Sequence, residues 1–135
     1  ICRGQFADWT PTDSPATFSD NGDGTVTDSR SGLVWQQSVD AGSYTWANAK
    51  TYCAGLSLAG TGWRLPAIAE LESIVDFGRS SPAVDPTAFP STPSSYFWSS
   101  SPYVGSGGSA WLVYFYGGNS PYDVTGYASR ARCGR

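Results

Sequence analysis

The sequence of 135 residues contains no histidine. Without an imidazole it has no Ser-His-Asp or Cys-His nucleophile pair, no neutral-pH imidazole base and no imidazole metal ligand. Glu70 and Glu72 lie two positions apart in a predicted helix, so their carboxylates diverge and form no acid pair for glycoside hydrolysis. We therefore expect no enzymatic activity and no cofactor.

Charge is also scarce, because charged residues make up 14% of the chain and the formal net charge is −3. Nucleic-acid-binding domains usually carry a basic stripe. Here only Arg130, Arg132 and Arg135 lie close together, and such a short basic tail is typical of a solvated terminus. The sequence therefore predicts no nucleic-acid partner. No apolar run approaches the ~18 residues needed to cross a bilayer, so we expect no membrane-spanning segment.

Cysteine occurs three times, at Cys2, Cys53 and Cys133, and never in a C-x-x-C pair. This spacing argues against zinc binding and thioredoxin-like chemistry. An odd number of cysteines in a turn-rich chain favours one disulfide, and Cys53 with Cys133 is the better pair because both lie in segments with regular patterning. Cys2 would then be free or bonded to sequence outside this chain. Three reduced, buried cysteines remain the alternative.

Aromatic residues, by contrast, reach 15% of the chain, with 16 glycines and 9 prolines. This composition predicts short strands, many turns and a core built on large rings. Residues 1–16 lack clear periodicity, so we expect an irregular lead-in followed by one domain over residues 17–135. An acidic turn over residues 20–24 and a second turn over residues 29–32 predict a three-stranded meander.

The acidic turn also resembles part of a calcium loop. A calcium loop needs a bidentate carboxylate at its twelfth position, and Arg30 would stand there. We therefore predict a turn and no metal site.

Two helices are predicted in the middle of the chain. Thr45 is a good N-cap, and an apolar face follows at helical spacing: Trp46, Ala49, Cys53 and Leu56. The second helix is predicted to begin at Pro66 and to end at Gly78, with an apolar stripe of Ile68, Leu71 and Ile74 or Val75. With the β-rich last third, these helices predict a mixed α+β fold.

The strand predicted over residues 110–116 is the most informative segment. Its alternation places Trp111, Val113 and Phe115 on a core face, with Leu112 and two tyrosines on the opposite face. Tyrosines, serines and glycines in one surface segment have the composition of a paratope. The alternative is that the tyrosines form a second core layer beneath loops. The candidate ligand-binding residues are Leu112, Tyr114, Tyr116, Asn119, Ser120, Tyr122, Asp123, Thr125, Tyr127 and Ser129.

Several short motifs occur in the order typical of one family. They include FSDNGDGTVTD from residue 18, SGLVW from 31, WRLP from 63 and RARC from 130. In these motifs the chain resembles the domain at the C-terminus of the Legionella collagen-like adhesin and its bacterial relatives. The resemblance implies a C-type-lectin-like fold, with two helices packed on small, twisted, mainly antiparallel sheets with long loops. It also implies a Cys53–Cys133 bridge and a secreted or surface-anchored protein.

The resemblance also bears on function. Sugar-binding C-type lectins hold calcium through Glu-Pro-Asn or Gln-Pro-Asp and Trp-Asn-Asp, but this chain has Asn-Ser-Pro over 119–121 and Trp-Leu-Val over 111–113. Calcium-dependent sugar binding is therefore not implied. Some members of this fold are variable proteins of diversity-generating retroelements, in which adenine-directed change of asparagine codons yields Tyr, Ser, Asp, Gly and Thr.

Leu112, Tyr114, Tyr116 and the Gly, Ser, Tyr, Asp and Thr residues scattered from there to Ser129 stand where such asparagines would lie. We therefore expect an extracytoplasmic recognition domain that binds a protein or cell-surface target through this Tyr-rich segment. A bacterial adhesin that binds glycans or sulfated polysaccharide is the alternative.

Overall fold

Two three-stranded antiparallel sheets and two helices make up the regular structure of the described residues, which are 18–105 and 107–135 of a computed structural model. The α+β class predicted from the sequence is confirmed. The predicted lead-in over residues 1–16 and Cys2 lie outside the described residues. Within the described ranges, no helix is long and apolar enough to span a bilayer.

The first sheet is the predicted meander. Its strands β1 (Phe18–Asp20), β2 (Thr25–Asp28) and β3 (Val34–Gln36) pair in chain order. In the acidic turn, Asp20 Oδ1 accepts a hydrogen bond from the backbone N–H of Gly22 at 2.9 Å. Asp23 Oδ1 likewise accepts from the N–H of Thr25 at 3.1 Å. Both carboxylates therefore stabilise the turn locally.

Helix α1 (Trp46–Ala54) begins where the sequence predicts, with the side chain of Thr45 accepting from the N–H of Asn48. Helix α2 (Ile68–Glu72) is shorter than predicted, because Pro66 precedes it in extended chain and it stops well before Gly78. After Glu72 the chain tightens, and the N–H of Asp76 donates to the carbonyl of Ala83. The chain after Glu72 therefore continues as a turn, with the N–H groups of Ile74 and Val75 donating three residues back, and not as the helix that local patterning predicts.

The second sheet contains β4 (Tyr96–Pro102), β5 (Ser109–Tyr114) and β6 (Tyr122–Val124), with β5 in the centre. Strand β5 ends earlier than the predicted residue 116. A turn forms there, in which the N–H of Gly118 donates to Tyr114 O and the N–H of Tyr114 donates to Asn119 O. Tyr116 therefore lies in a turn and not in a strand.

The core has two parts, one against each face of the second sheet. One part joins Leu71 of α2 to Val113 of β5 and to Phe115 just after it, and the other joins Cys53 of α1 to Leu112. The prediction that Leu112 faces outward is wrong, since this side chain is 1% exposed. Alternation separates the two faces of a strand, but it cannot show that both faces of a central strand are covered.

The C-terminal segment, residues 130–135, runs between the two sheets. Gly134 forms bridges with Trp35 and with Arg64, while Arg130 forms a parallel bridge with Phe97 of β4. Cys133 is bonded to Cys53 of α1, so the predicted disulfide is confirmed. This short segment therefore connects the first sheet, α1 and the second sheet.

The predicted solvated basic tail is wrong for Arg132, which is 1% exposed. Its guanidinium donates to the carbonyls of Gln36 and Gln37 and to the hydroxyl of Thr92, and it lies over the ring of Phe89. Burial lowers the pKa of Arg132 to about 9, so the group is still charged at neutral pH. Arg132 is therefore a buried residue that stabilises the fold, although its charge in the sequence suggests a solvated position.

The guanidinium of Arg135 is also in contact with the protein. It donates to the carbonyls of Ala59 and Thr61, each at 3.0 Å. It lies over the ring of Trp63, 4.5 Å from the centroid. Arg130 Nη1 also donates to the carbonyl of Asp40, at 3.4 Å, so all three clustered arginines form hydrogen bonds within the protein.

Candidate functional site

The first ring cluster consists of Tyr96, Tyr114 and Tyr116. Tyr96 of β4 and Tyr114 of β5 are direct cross-strand partners, and their rings stack with centroids 4.1 Å apart. The ring of Tyr116 extends this stack, with its centroid 5.8 Å from that of Tyr114. Tyr116 is 54% exposed and Tyr96 is 43% exposed, so the stack presents ring surface to solvent.

The second ring cluster consists of Tyr103, Trp111 and Tyr122. The rings of Tyr103 and Tyr122 stack 3.8 Å apart with an interplanar angle of 6°. Trp111 meets both rings edge-on, with centroid distances of 5.0 Å and 6.0 Å. Gly105 permits this arrangement, because a Cβ atom there would lie 2.7 Å from the Tyr103 ring.

The placement of Trp111 corrects the predicted core face of β5. Val113 and Phe115 pack in the α2-side core, but Trp111 is not part of that core and is only half-buried. The sequence alternation groups these three residues correctly on one face. The alternation cannot show that the core covers only part of that face. Trp111 lies beyond the covered part, and its ring packs against Tyr103 and Tyr122.

The two ring clusters lie on opposite faces of the second sheet. Tyr114 shares its face with Leu112, whereas Trp111 shares the other face with Val113, since alternate residues of a strand point to opposite sides. Tyr122 is the cross-strand partner of Trp111. The single Tyr-rich surface predicted from the sequence is therefore two separate surfaces near opposite ends of β5.

The other predicted ligand-binding residues vary in exposure. Asn119 and Tyr127 are exposed, and Thr125 is half-buried. The half-buried Ser120 donates through its hydroxyl to Glu72 Oε2 at 2.5 Å. Asp123 accepts from the neighbouring N–H of Val124 at 2.8 Å.

Ser129 is 8% exposed, and its backbone pairs with that of Tyr44 in both directions. Ser129 and Leu112 are thus the two predicted residues whose side chains cannot reach a ligand without rearrangement.

Sequence reasoning missed Tyr96 and Tyr103. Tyr96 lies in the neighbouring strand β4 and Tyr103 in a Gly/Ser-rich region, so neither stands in the alternating pattern of β5. The pairing of Tyr96 with Tyr114 depends on the register between β4 and β5, which includes an irregularity between Trp98 and Pro102. Only a correct prediction of this strand register would have identified Tyr96 as a neighbour of Tyr114.

The ring clusters offer contact area and hydroxyl groups, with no formal charge of their own at neutral pH. Repulsion between the ionised forms of the adjacent Tyr122 and Tyr103 is the main cause that raises the pKa of Tyr103, so this phenol stays neutral in physiological conditions. Over residues 18–105 and 107–135, no group of three His, Cys, Asp or Glu residues is placed to hold a metal ion.

Exposed apolar side chains are concentrated in the same region. Within the described ranges, seven large apolar side chains are exposed, and only Phe77 lies outside the segment from Tyr96 to Tyr127.

A search of curated protein sequences found no match to this chain. A family model described as the Lcl C-terminal domain matches residues 24–135, which include both sheets except β1, both helices and both ring clusters. The resemblance to the Legionella collagen-like adhesin inferred from the motifs is thereby confirmed. The chain belongs to the Lcl C-terminal domain family.

Proposed function

We propose that this chain is a non-catalytic, extracytoplasmic recognition domain that binds a protein or cell-surface ligand through its two ring clusters. One observation carries the proposal: exposed tyrosine rings are already stacked on one another at both surfaces. Membership of the Lcl C-terminal domain family supports an adhesin-type surface role. The Cys53–Cys133 disulfide supports an oxidising, extracytoplasmic location.

The energetic argument rests on pre-organisation. Tyrosine and tryptophan supply large contact areas at low entropic cost and are enriched among residues that dominate binding energy. Rings held by neighbouring rings lose little further freedom when a partner arrives. The Tyr103–Trp111–Tyr122 cluster has this property, since each ring contacts the other two.

The proposal predicts that shortening the rings removes binding and preserves the fold. The purified domain would be screened against arrayed extracellular proteins and glycans. Each hit would be measured again with Tyr114→Ala/Tyr116→Ala and with Tyr103→Ala/Tyr122→Ala. We expect one pair of substitutions to weaken binding by about 100-fold, which corresponds to loss of about 2.7 kcal/mol. The melting temperatures of both double variants should stay close to that of the parent domain, because the substituted rings lie at the surface.

Phenylalanine substitutions at the same positions are the matched controls, because they keep the rings and remove only the hydroxyls. They should retain most of the affinity. Hits that bind both alanine variants as tightly as the parent domain would show that the rings are not the contact surface. Unfolding of the alanine variants would instead identify the rings as core.

We further propose that the domain is the variable protein of a diversity-generating retroelement. Tyr114, Tyr116 and Tyr122 present side chains at the surface, whereas Val113 and Phe115, which adjoin Tyr114 in the sequence, are buried. Diversity at the first set would alter contacts without disturbing the core. The flanking DNA tests this: we expect a reverse transcriptase gene and a near-repeat of the C-terminal coding segment that differs at adenines. Flanking DNA without both would favour a fixed adhesin.

A glycan-binding adhesin is the second candidate, favoured by the adhesin-type family. Binding of a sulfated polysaccharide needs an accessible basic patch. However, Arg132 is buried, and the guanidinium of Arg135 donates hydrogen bonds to two carbonyls. Among these three arginines, Arg130 would carry most of the remaining attraction, and its Nη1 lies 3.4 Å from the carbonyl of Asp40. Salt-sensitive retention on heparin would support this alternative, and free passage at low salt would oppose it.

A further inference from the structure

The indole N–H of Trp111 differs from those of the other tryptophans in the part of the chain that the structure describes. The N–H groups of Trp46, Trp63 and Trp98 donate to backbone carbonyls at 2.7, 2.9 and 2.8 Å. The N–H of Trp35 has no partner, but it is enclosed in the core. Among the described tryptophans, only Trp111 combines a half-buried ring with an N–H that no protein acceptor takes and that solvent can reach.

Aromatic and apolar groups surround this free donor. The rings of Tyr103 and Tyr122 cover one face of each other, since their centroids are 3.8 Å apart, so a ligand meets their outer faces and edges. Tyr122 is 50% exposed, and Val104 in the adjoining loop is 97% exposed. The second ring cluster therefore offers apolar contact area around a single indole N–H.

Formal charge is absent from the segments that carry these rings. Residues 102–112 and 121–122 include no Asp, Glu, Lys or Arg. Asp123 follows in β6, and its Oδ1 already accepts from the N–H of Val124 at 2.8 Å. A charged ligand would lose hydration on this surface without gaining a counter-ion. The surface thus suits an uncharged ligand that carries apolar rings and a free hydrogen-bond acceptor.

We propose that the second ring cluster binds a proline-rich segment of a partner protein in the polyproline II conformation. The backbone carbonyls of such a segment make no internal hydrogen bonds, so one of them can accept from the N–H of Trp111. Its pyrrolidine rings pack against the outer faces of Tyr103 and Tyr122. The segment is already extended, so it loses little conformational freedom on binding.

This inference rests on the proposed function, because it assigns a ligand class to one of the two ring clusters. A neutral sugar is the less suitable ligand for this surface. Its many hydroxyls each need a polar partner, whereas the rings surround one indole donor.

NMR titration of the ¹⁵N-labelled protein with blocked decaproline tests the proposal. The indole N–H groups give separate signals, and loss of one signal in Trp111→Phe identifies that of Trp111. We expect decaproline to shift this signal saturably and to leave the signals of Trp46, Trp63 and Trp98 nearly unchanged. A blocked Gly/Ser peptide of equal length should cause no saturable shift. Equal shifts with both peptides, or none with decaproline, would overturn the proposal.

Two variants locate the contact. Tyr122→Ala should weaken decaproline binding by about tenfold, because a ring that packs against proline is lost. Phe77→Ala is the matched control: it removes an exposed ring outside both ring clusters and should leave the affinity unchanged. If Tyr122→Ala does not fold, Trp111→Phe, which keeps an aromatic ring and removes the N–H, should still weaken binding severalfold. Unchanged affinity in whichever of these two cluster variants folds would refute the site.

The array screen separates failure of this inference from failure of the proposed function. A hit that Tyr103→Ala/Tyr122→Ala abolishes, in a protein that does not bind decaproline, would keep the recognition surface and refute the polyproline ligand. A saturable shift of the Trp111 signal with maltoheptaose and none with decaproline would also refute it, in favour of a sugar. Decaproline binding at Trp111, with array hits that tolerate every ring substitution, would support the polyproline site and contradict the wider function.

Discussion

At the scale of single residues, the guanidinium of Arg132 joins three parts of the chain: the C-terminal segment, the end of β3 and the loop before β4. Its donors reach two carbonyls at the end of β3 and the hydroxyl of Thr92 in the loop before β4. Its plane also lies against Phe89, 4.6 Å from the ring centroid. A forked, planar donor suits this position, whereas an ammonium group can satisfy only some of these acceptors.

We predict that Arg132→Lys lowers the free energy of unfolding by about 3 kcal/mol, because buried acceptors lose their donors and a charge is left poorly compensated. Urea unfolding followed by tryptophan fluorescence measures this loss. Arg79→Lys is the matched control: its ion pair with Asp76 is exposed, so the change should cost no more than about 0.5 kcal/mol. Equal losses in both variants would contradict the structural role of Arg132.

Residue placement also shows where reasoning from sequence alone reaches its limit. The pairing of Cys53 with Cys133 was predictable, because it needed only segment patterning and the family motifs. The burial of Leu112 and the partial exposure of Trp111 were not, because each depends on which part of β5 the core covers. Alternation assigns side chains to faces, and tertiary packing decides which face meets solvent.

At the scale of elements, α2 depends on an ion pair at its first turn. Arg64 and Glu70 form a bidentate pair, with Nη1–Oε1 and Nη2–Oε2 distances of 2.6 and 2.7 Å. Glu70 also accepts from the N–H of Ala67 at 2.8 Å, a backbone donor at the N-terminus of the helix. With five residues, α2 is too short to be stable alone, so these contacts matter.

This arrangement predicts a pH-dependent contribution to stability. The bond from Arg64 is the main cause that lowers the pKa of Glu70 below its usual 4.5. A lowered pKa in the folded state stabilises the fold above pH 4.5, and this stabilisation is lost as pH falls through the lowered value. Glu70→Gln should therefore cost about 1 kcal/mol at pH 7, a small value because Arg64 is half exposed.

Urea unfolding across a pH series measures this effect, and the difference between Glu70→Gln and the parent chain should shrink in acid. Arg64→Gln and the double variant complete a mutant cycle that isolates the pair. A difference that stays constant from pH 7 to about pH 3 would show that Glu70 acts only through shape and not through its charge.

The elements themselves were predictable to different degrees. The meander and α1 follow from local signals, namely the Asn-Gly-Asp-Gly turn and the Thr45 cap. The pairing of Tyr96 with Tyr114 depends on the register between two strands, and the early end of α2 was not signalled by the local pattern. The ring clusters depend on that register, so the sequence could indicate their composition and approximate segment, and the fold was needed to separate them into two surfaces.

At the scale of the whole molecule, the C-terminal segment closes the structure. The backbones of Val34 and Arg135 exchange hydrogen bonds in both directions, so this segment lies alongside β3 of the first sheet. The N–H of Trp98 in the second sheet donates to the carbonyl of Arg130. The Cys53–Cys133 disulfide ties the same segment to α1. Packing between the sheets therefore depends on residues that are last in the chain.

The disulfide should accordingly contribute to the stability of the entire domain and not only to α1. It joins residues separated by 80 positions, and constraint of so long a loop in the unfolded chain is worth about 4 kcal/mol in the chain-entropy model. We predict that Cys53→Ala/Cys133→Ala lowers the urea midpoint in one cooperative transition, with both ring clusters and the first sheet unfolding together. Fluorescence and far-UV circular dichroism should report coincident curves.

The matched comparison is the parent chain unfolded in urea with and without a thiol reductant. Both cysteines are fully buried, so reduction should require unfolding and should then lower the midpoint as much as the double substitution does. Two separate transitions would show instead that the sheets are stable independently. In that case the C-terminal segment would not be needed for the stability of either sheet, and the ring clusters on the second sheet would keep their arrangement without it.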